Sequence, residues 1–205
     1  MTVQDKTALV TGAASGIGRA TALLLAERGT RVVAIDQDGD GLKRLAGDAA
    51  GDVLALVLDV TDPGLETTVS GFLNDRGLGL DVLVNNAGVG GGDFIEQTDD
   101  AALRRFFEVN VISLFRLSRF AVGRMRTTGG AIVNVASIFA EIVATKSPGY
   151  SASKGAVTSL TRQLATDYGP YGIRVNAVAP GLIETPLTAE RIRTEKWRHQ
   201  IFIEQ

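Results

Sequence analysis

A glycine-rich turn set between a strand and a helix restricts this chain more than any other feature. Thr7, Ala8, Leu9 and Val10 form a short apolar strand that runs into Thr11-Gly12-Ala13-Ala14-Ser15-Gly16-Ile17-Gly18. Residues 17–28 then read as a helix, with Ala20, Leu23, Leu24 and Glu27 at helical spacing and Gly29 to end it. Glycines at such a junction let the backbone approach a pyrophosphate closely. The helix start adds free N–H groups and the positive end of the helix dipole. The spacing here is Gly-x-x-x-Gly-x-Gly, so the position between strand and helix, more than the pattern, carries the reading.

The rest of the chain repeats the alternation. Strands are expected at 31–35, 53–58, 81–84, 131–135 and 173–178, and helices at 42–46, at 100–125 and around Tyr150. The third strand, 53–58, is apolar at nearly every position and reads as buried on both faces. Asp62 is placed to cap a third helix with Pro63 at its first position. Strands separated by helix-length segments predict an α/β fold: a Rossmann-like, doubly wound parallel sheet with helices on both faces, in a single domain over residues 1–205. Gly90, Gly91 and Gly92 make a flexible loop after the fourth strand.

Composition narrows the function. At 45% hydrophobic and 21% charged, 205 residues suffice for a packed core. A net charge of -2 gives no general attraction to nucleic acid or an acidic membrane surface. With no cysteine and one histidine, thiolate metal sites and a Ser-His-Asp triad are not expected. The N-terminus lacks the apolar core of a signal peptide, and no apolar run is long enough to span a bilayer, so a cytoplasmic protein is expected.

Two groups of residues carry chemistry. Asp36 follows the second strand, 36 − 18 = 18 residues after Gly18, near the offset of about 20 for an acid that binds an adenosine ribose. A carboxylate there accepts from the ribose hydroxyls and repels a 2′-phosphate, which predicts NAD over NADP. Tyr150 and Lys154 stand four apart, on one face of a helix, and Ser137 ends the fifth strand where it can fold back on them. Moving a tyrosine from a pKa of about 10 to about 7 takes roughly 4 kcal/mol. A positive charge about 4 Å away at an effective dielectric of about 20 supplies roughly that. Hydroxyl, phenol and ammonium together make an acid–base site for a C–O group.

The set Thr11-Gly12-x-x-x-Gly16-x-Gly18, Asp59-Val60, Asn85-Asn86-Ala87-Gly88, Asn110, Ser137, Tyr150-x-x-x-Lys154 and Pro180-Gly181 resembles the short-chain dehydrogenase/reductase family in order and spacing. The resemblance implies roles. Gly12, Ser15, Gly16, Ile17 and Gly18 would surround the pyrophosphate, and Asp59 and Val60 would edge the adenine. Asn86, Ala87 and Gly88 would close against the cofactor, and Pro180, Gly181, Ile183 and Thr185 would line the nicotinamide end. Ser137 would hold the substrate oxygen, Tyr150 would exchange the proton, and Lys154 would bind the nicotinamide ribose. Asn110 would anchor a proton-relay water.

The implied function is hydride transfer between NAD and a secondary alcohol or ketone by a homodimer or homotetramer. Alternatives are a 3-oxoacyl-acyl-carrier-protein reductase-like enzyme and a non-catalytic NAD-binding protein. Substrate choice falls to 90–94, 139–146 and the segment after Pro180, where 187–200 reads as a helix and 186–200 as a lid. Arg191, Arg193, Lys196, Arg198 and His199 on it read as an attraction for anions or as a solvated face, and Trp197 as lid or core. Family members continue through a further helix and a seventh strand. The sequence here ends at Gln205, so the sixth strand is expected at the sheet edge.

Overall fold

The computed structural model describes residues 2–142 and 145–196. Its strands are β1 (Thr7–Thr11), β2 (Arg31–Asp36), β3 (Val53–Val57), β4 (Val82–Asn85), β5 (Gly130–Val135) and β6 (Ile173–Val178). They form one parallel sheet in the order β3-β2-β1-β4-β5-β6. The winding reverses at β1, which pairs with β2 on one side and β4 on the other. The loops that leave β1 and β4 therefore diverge and open a crevice at the carboxyl ends of the strands.

Alternate side chains of each strand enter two separate cores. On one face Leu9, Val33, Ile35, Leu83 and Ile132 pack against α3 (Leu65–Asn74) and α5 (Ser113–Met125) through Leu65, Val69, Leu73, Leu117 and Ala121. Leu164 and Ala165 of α6 (Pro148–Tyr168) pack against the same cluster. On the other face Ala8, Val10, Val32, Ala34, Val82 and Val84 meet α1 (Gly16–Glu27) and α2 (Gly39–Asp48) through Ala22, Ala26, Leu42 and Leu45. Gly29, at φ +78°, closes α1: its own N–H reaches Ala26 O and the N–H of Thr30 reaches Leu25 O.

Four expectations change. The third strand is an edge strand, not one buried on both faces, and Val57 is 59% exposed. Its apolar run gave no sign of which strands would flank it. Helix α3 begins at Leu65, because Asp62 accepts from Gly64 N at 2.6 Å and forms a turn ahead of the helix instead of capping it. The expected helix 100–125 is α4 (Asp100–Phe107) and α5 joined by a π turn over Glu108–Ile112. After β6, a short helix α7 (Ala189–Thr194) stands where 187–200 was expected to be helical; Trp197, Arg198 and His199 lie outside the described residues. Among the described residues strand β6 lies at the sheet edge.

Edge and centre should respond differently to substitution. In urea denaturation Val57→Ser is expected to change stability by no more than about 0.5 kcal/mol. Ile35→Ala, in the fully buried centre, should cost about 2–5 kcal/mol. Equal losses would contradict this sheet order.

Candidate active site

The glycine turn is held from behind by Thr11 and Asn86. The Thr11 hydroxyl accepts from the main-chain N–H of Asn86 at 3.0 Å and of Ala87 at 2.9 Å. The Asn86 amide donates back to Thr11 O at 2.8 Å and Gly12 O at 3.1 Å. These bonds fix the turn after β1 to the end of β4. A Cβ at Gly18 would sit 2.2 Å from Gly12 O, so only glycine lets α1 approach the turn this closely. Ser15 precedes α1 without a side-chain cap, and no acidic residue stands in the first turn. The N–H groups of that turn thus face the crevice ready for an external anion.

The Asp36 carboxylate sits at the end of β2, where it accepts from Ala14 N and Asp38 N, each at 3.0 Å. Each oxygen keeps a further lone pair for a hydroxyl donor. Asp59 accepts from the N–H and hydroxyl of Thr61, both at 2.8 Å, and shapes the neighbouring wall with Val60.

At the opposite end α6 brings Tyr150 and Lys154 against the end of β5. Lys154 is 5% exposed and its Nζ donates to Val135 O at 2.7 Å. Burial lowers its pKa from the ordinary 10.5 to about 8. The Nζ lies 5.9 Å from the centre of the Tyr150 ring. That ring meets Phe106 and Phe139 edge-on, each 6.3 Å away between centroids. Ser137, buried, accepts from Phe139 N at 3.2 Å at the start of a 3-10 turn, Ile138–Ala140. The N–H of Ile138 reaches Pro180 O and ties the loop after β5 to the loop after β6.

Asn110 lies in the π turn, where such an irregularity in a helix often accompanies function. Its Oδ1 accepts from Val89 N at 2.8 Å, and its Nδ2 donates to Val89 O at 3.0 Å and Ser153 Oγ at 2.9 Å. Ser153 in turn donates to Tyr150 O at 2.7 Å. Asn110 therefore braces the loop after β4 against α6.

One cleft of about 740 Å³ gathers almost every residue singled out in the sequence. Gly12, Ser15, Gly16, Ile17, Asp36, Asp59, Val60, Asn86, Ala87, Gly88, Ser137, Tyr150, Lys154, Pro180, Gly181, Ile183 and Thr185 all line it. Gly18 and Asn110 do not; they stand behind its walls. Thr61, Val89, Arg105, Glu108 and Val109 also line it and were not anticipated, nor was Phe106 beside Tyr150, whereas Phe139 opens the 139–146 segment expected to set substrate choice. The helical spacing of Arg105, Glu108 and Val109 could have shown a shared face, but not what it faced. The cleft's size suits an extended small ligand. Its uncapped helix start, the carboxylate at the end of β2 and the inward lysine fit a dinucleotide.

A family model described as short chain dehydrogenase matches residues 6–196. This chain belongs to the short-chain dehydrogenase family. Cis-4-hydroxycyclohexanecarboxylate dehydrogenase of Sinomonas cyclohexanicum is 44% identical over 193 residues, which span 90% of this chain and 76% of that one. Among solved structures, a 3-ketoacyl-(acyl-carrier-protein) reductase of Brucella melitensis complexed with NADH matches with TM-score 0.86 and 34% identity, over 91% of this chain and 79% of that one. A candidate NAD(P)-dependent gluconate 5-dehydrogenase of Beutenbergia cavernae with bound NADP matches with TM-score 0.90 and 35% identity, over 98% and 81%. The short-chain dehydrogenase assignment makes the chain an oxidoreductase of a family that uses nicotinamide cofactors. No helix of the described residues is long and apolar enough to cross a membrane.

The buried lysine of this short-chain dehydrogenase predicts a pH signature. Between about 8 and 10.5 the unfolded chain holds a proton that the folded chain has released, so stability rises with pH across that window. Below about 8 the full burial cost remains. Compared with Lys154→Met in urea denaturation, the wild-type chain should gain up to about 3 kcal/mol between pH 7.5 and 10.5. A stability difference that does not change with pH would contradict this.

Proposed function

We propose that this chain transfers a hydride between NAD and a secondary alcohol or ketone, with Tyr150 as the acid–base group. The observation that carries the reading is the meeting of Ser137, Tyr150 and Lys154 at the end of the cleft opposite Asp36. A bound nicotinamide would supply the hydride acceptor or donor. Tyr150, as phenolate, takes the hydroxyl proton of the alcohol, and Ser137 donates a hydrogen bond to the same oxygen. Lys154 is protonated at neutral pH and sits beside the phenol ring. Its Nζ lies 5.9 Å from the ring centre, close enough for its charge to favour the phenolate. Phe106 and Phe139 keep the ring in place and exclude water from it. Asn110 acts by position, since its amide is engaged by Val89 and Ser153. A relay water, if held at this point, would find its acceptor in the main chain of the π turn.

The preference for NAD rests on Asp36, whose charge opposes a ribose 2′-phosphate, and on Ala13, Ala14 and Gln37, which offer no cation there. The secondary-alcohol substrate is supported by the Sinomonas relative, whose named substrate is a ring alcohol. A 3-oxoacyl-acyl-carrier-protein reductase is the second reading, favoured by the Brucella neighbour. A homodimer or homotetramer is supported by half-exposed Phe115 on α5 and by the run of Ala152, Ala156, Ser159 and Gln163 along α6, where mostly small side chains permit close approach. A net charge of -2, with no general attraction to nucleic acid or an acidic membrane surface, supports a cytoplasmic setting without such partners. The segment after Pro180 serves as a substrate lid in this reading.

Tyr150→Phe should lower kcat by about 10²–10⁴-fold while NAD binding, measured by calorimetry, stays near the wild-type value. Full activity in that variant would remove Tyr150 from the mechanism. Asp36→Ala should reduce the ratio of kcat/KM with NAD to that with NADP by about tenfold or more. An unchanged ratio would mean that Asp36 does not face the ribose.

A further inference from the structure

A smaller pocket of about 60 Å³ opens off the main cleft at its Tyr150 end, and both are lined by Ser137 and Tyr150. Its walls come from Phe139, Leu182, Leu187 and the Gly90–Gly91 backbone, and among the described residues Arg191 is its one charged lining residue. From the geometry we infer that Arg191 and the glycine loop form an anion subsite, so that the substrate is a hydroxy or oxo acid whose carboxylate is held by Arg191 while its C–O group meets Ser137 and Tyr150. This rests on the reading of Ser137 and Tyr150 given above.

Three observations carry the inference. First, Arg191 is 24% exposed, unlike its neighbour Arg193, which is exposed on the same short helix. An arginine that deep in the wall of a small pocket beside Ser137 and Tyr150 is not an ordinary solvated helix charge. Second, its guanidinium is oriented from one edge only: Nε donates to Glu195 Oε1 at 2.6 Å. Among the described residues the Nη1 and Nη2 atoms take no acceptor, which leaves the other edge for a bidentate carboxylate. Third, the loop lies against the guanidinium. Gly91 has φ +115°, a conformation that residues with a side chain rarely adopt, and its Cβ position is in ordinary contact with Arg191 Nη1 at 3.9 Å. The glycine loop thus forms the wall beside the free edge of the fork. Glu195 offsets the charge of Arg191 when no ligand is bound, so an incoming carboxylate meets a held but incompletely occupied fork.

The test uses the full chain with NAD and two probes that differ in charge: 4-hydroxycyclohexanecarboxylate, and cyclohexanol as the neutral alcohol. The wild-type chain should favour the carboxylate. Arg191→Gln should reduce the ratio of kcat/KM for the carboxylate to that for cyclohexanol by about 10- to 100-fold, mainly through KM. Arg191→Lys should restore part of it, and Arg193→Gln should leave the ratio within about twofold. An unchanged ratio in Arg191→Gln, or an equal loss in Arg193→Gln, overturns the subsite. A second readout needs no turnover: calorimetry of cyclohexanecarboxylate and of cyclohexanecarboxamide with the NAD-loaded protein. Binding of the acid but not the amide, lost in Arg191→Gln, supports the subsite even if no alcohol is oxidised. In that event the acid–base reading fails and the anion site stands. Equal binding of acid and amide overturns the subsite.

Discussion

A single buried hydrogen bond, from the Lys154 ammonium to Val135 O at 2.7 Å, joins the site to the sheet. An ammonium taken out of water needs an acceptor, and the carbonyl at the end of β5 is the one it has. The bond holds the second turn of α6 against the end of β5, two residues before Ser137, so Tyr150 and Ser137 meet at one place. A buried polar row supports it from below. Asn85 Nδ2 donates to Ser118 Oγ and Asn134 Oδ1, and Asn134 Nδ2 donates to Thr161 Oγ1, linking α5, β4, β5 and α6. Such a row fits only one register of β4 on β5, the one in which Asn85 lies opposite Asn134.

The other end of the cleft depends on a different economy of contacts. Thr11 and Asn86 fasten the glycine turn, and Gly18 lets α1 come close behind it. The helix start is left uncapped as a result. A segment that uses its glycines for closeness and leaves its N–H groups unfilled has given up local stability for a surface that an anion can complete.

Much of this was legible in the sequence because strand–helix alternation and the glycine turn report directly on the backbone. Residues 173–178 matched their strand, and the spacing of Tyr150 and Lys154 gave their common face. What escaped depended on non-local packing. Nothing in the apolar run of 53–58 tells whether a strand lies beyond it, and β3 proved to be the edge. The π turn carries Asn110 to Val89 of the loop after β4 and to Ser153 of α6, contacts that helix propensity does not report. Asp62 accepts from Gly64 N in a turn of its own ahead of the helix, which the cap-and-proline pattern alone does not distinguish from a cap. Phe106 and Phe139 flank Tyr150 from two separate segments, and no periodicity connects them. Gly18, expected at the pyrophosphate, packs closely behind the turn against Gly12 O and the Asn86 amide, and a glycine that touches a ligand and one that touches a helix look alike in sequence.

A crystal structure of the chain with NAD bound bears most directly on the claim that one cleft aligns cofactor and phenol. It should show the adenine ribose on Asp36, the pyrophosphate over the start of α1, and Lys154 Nζ bonded at once to Val135 O and a nicotinamide ribose hydroxyl, with the nicotinamide facing Ser137 and Tyr150. A dinucleotide bound in the reverse direction, or a nicotinamide lying away from Tyr150, would contradict the account.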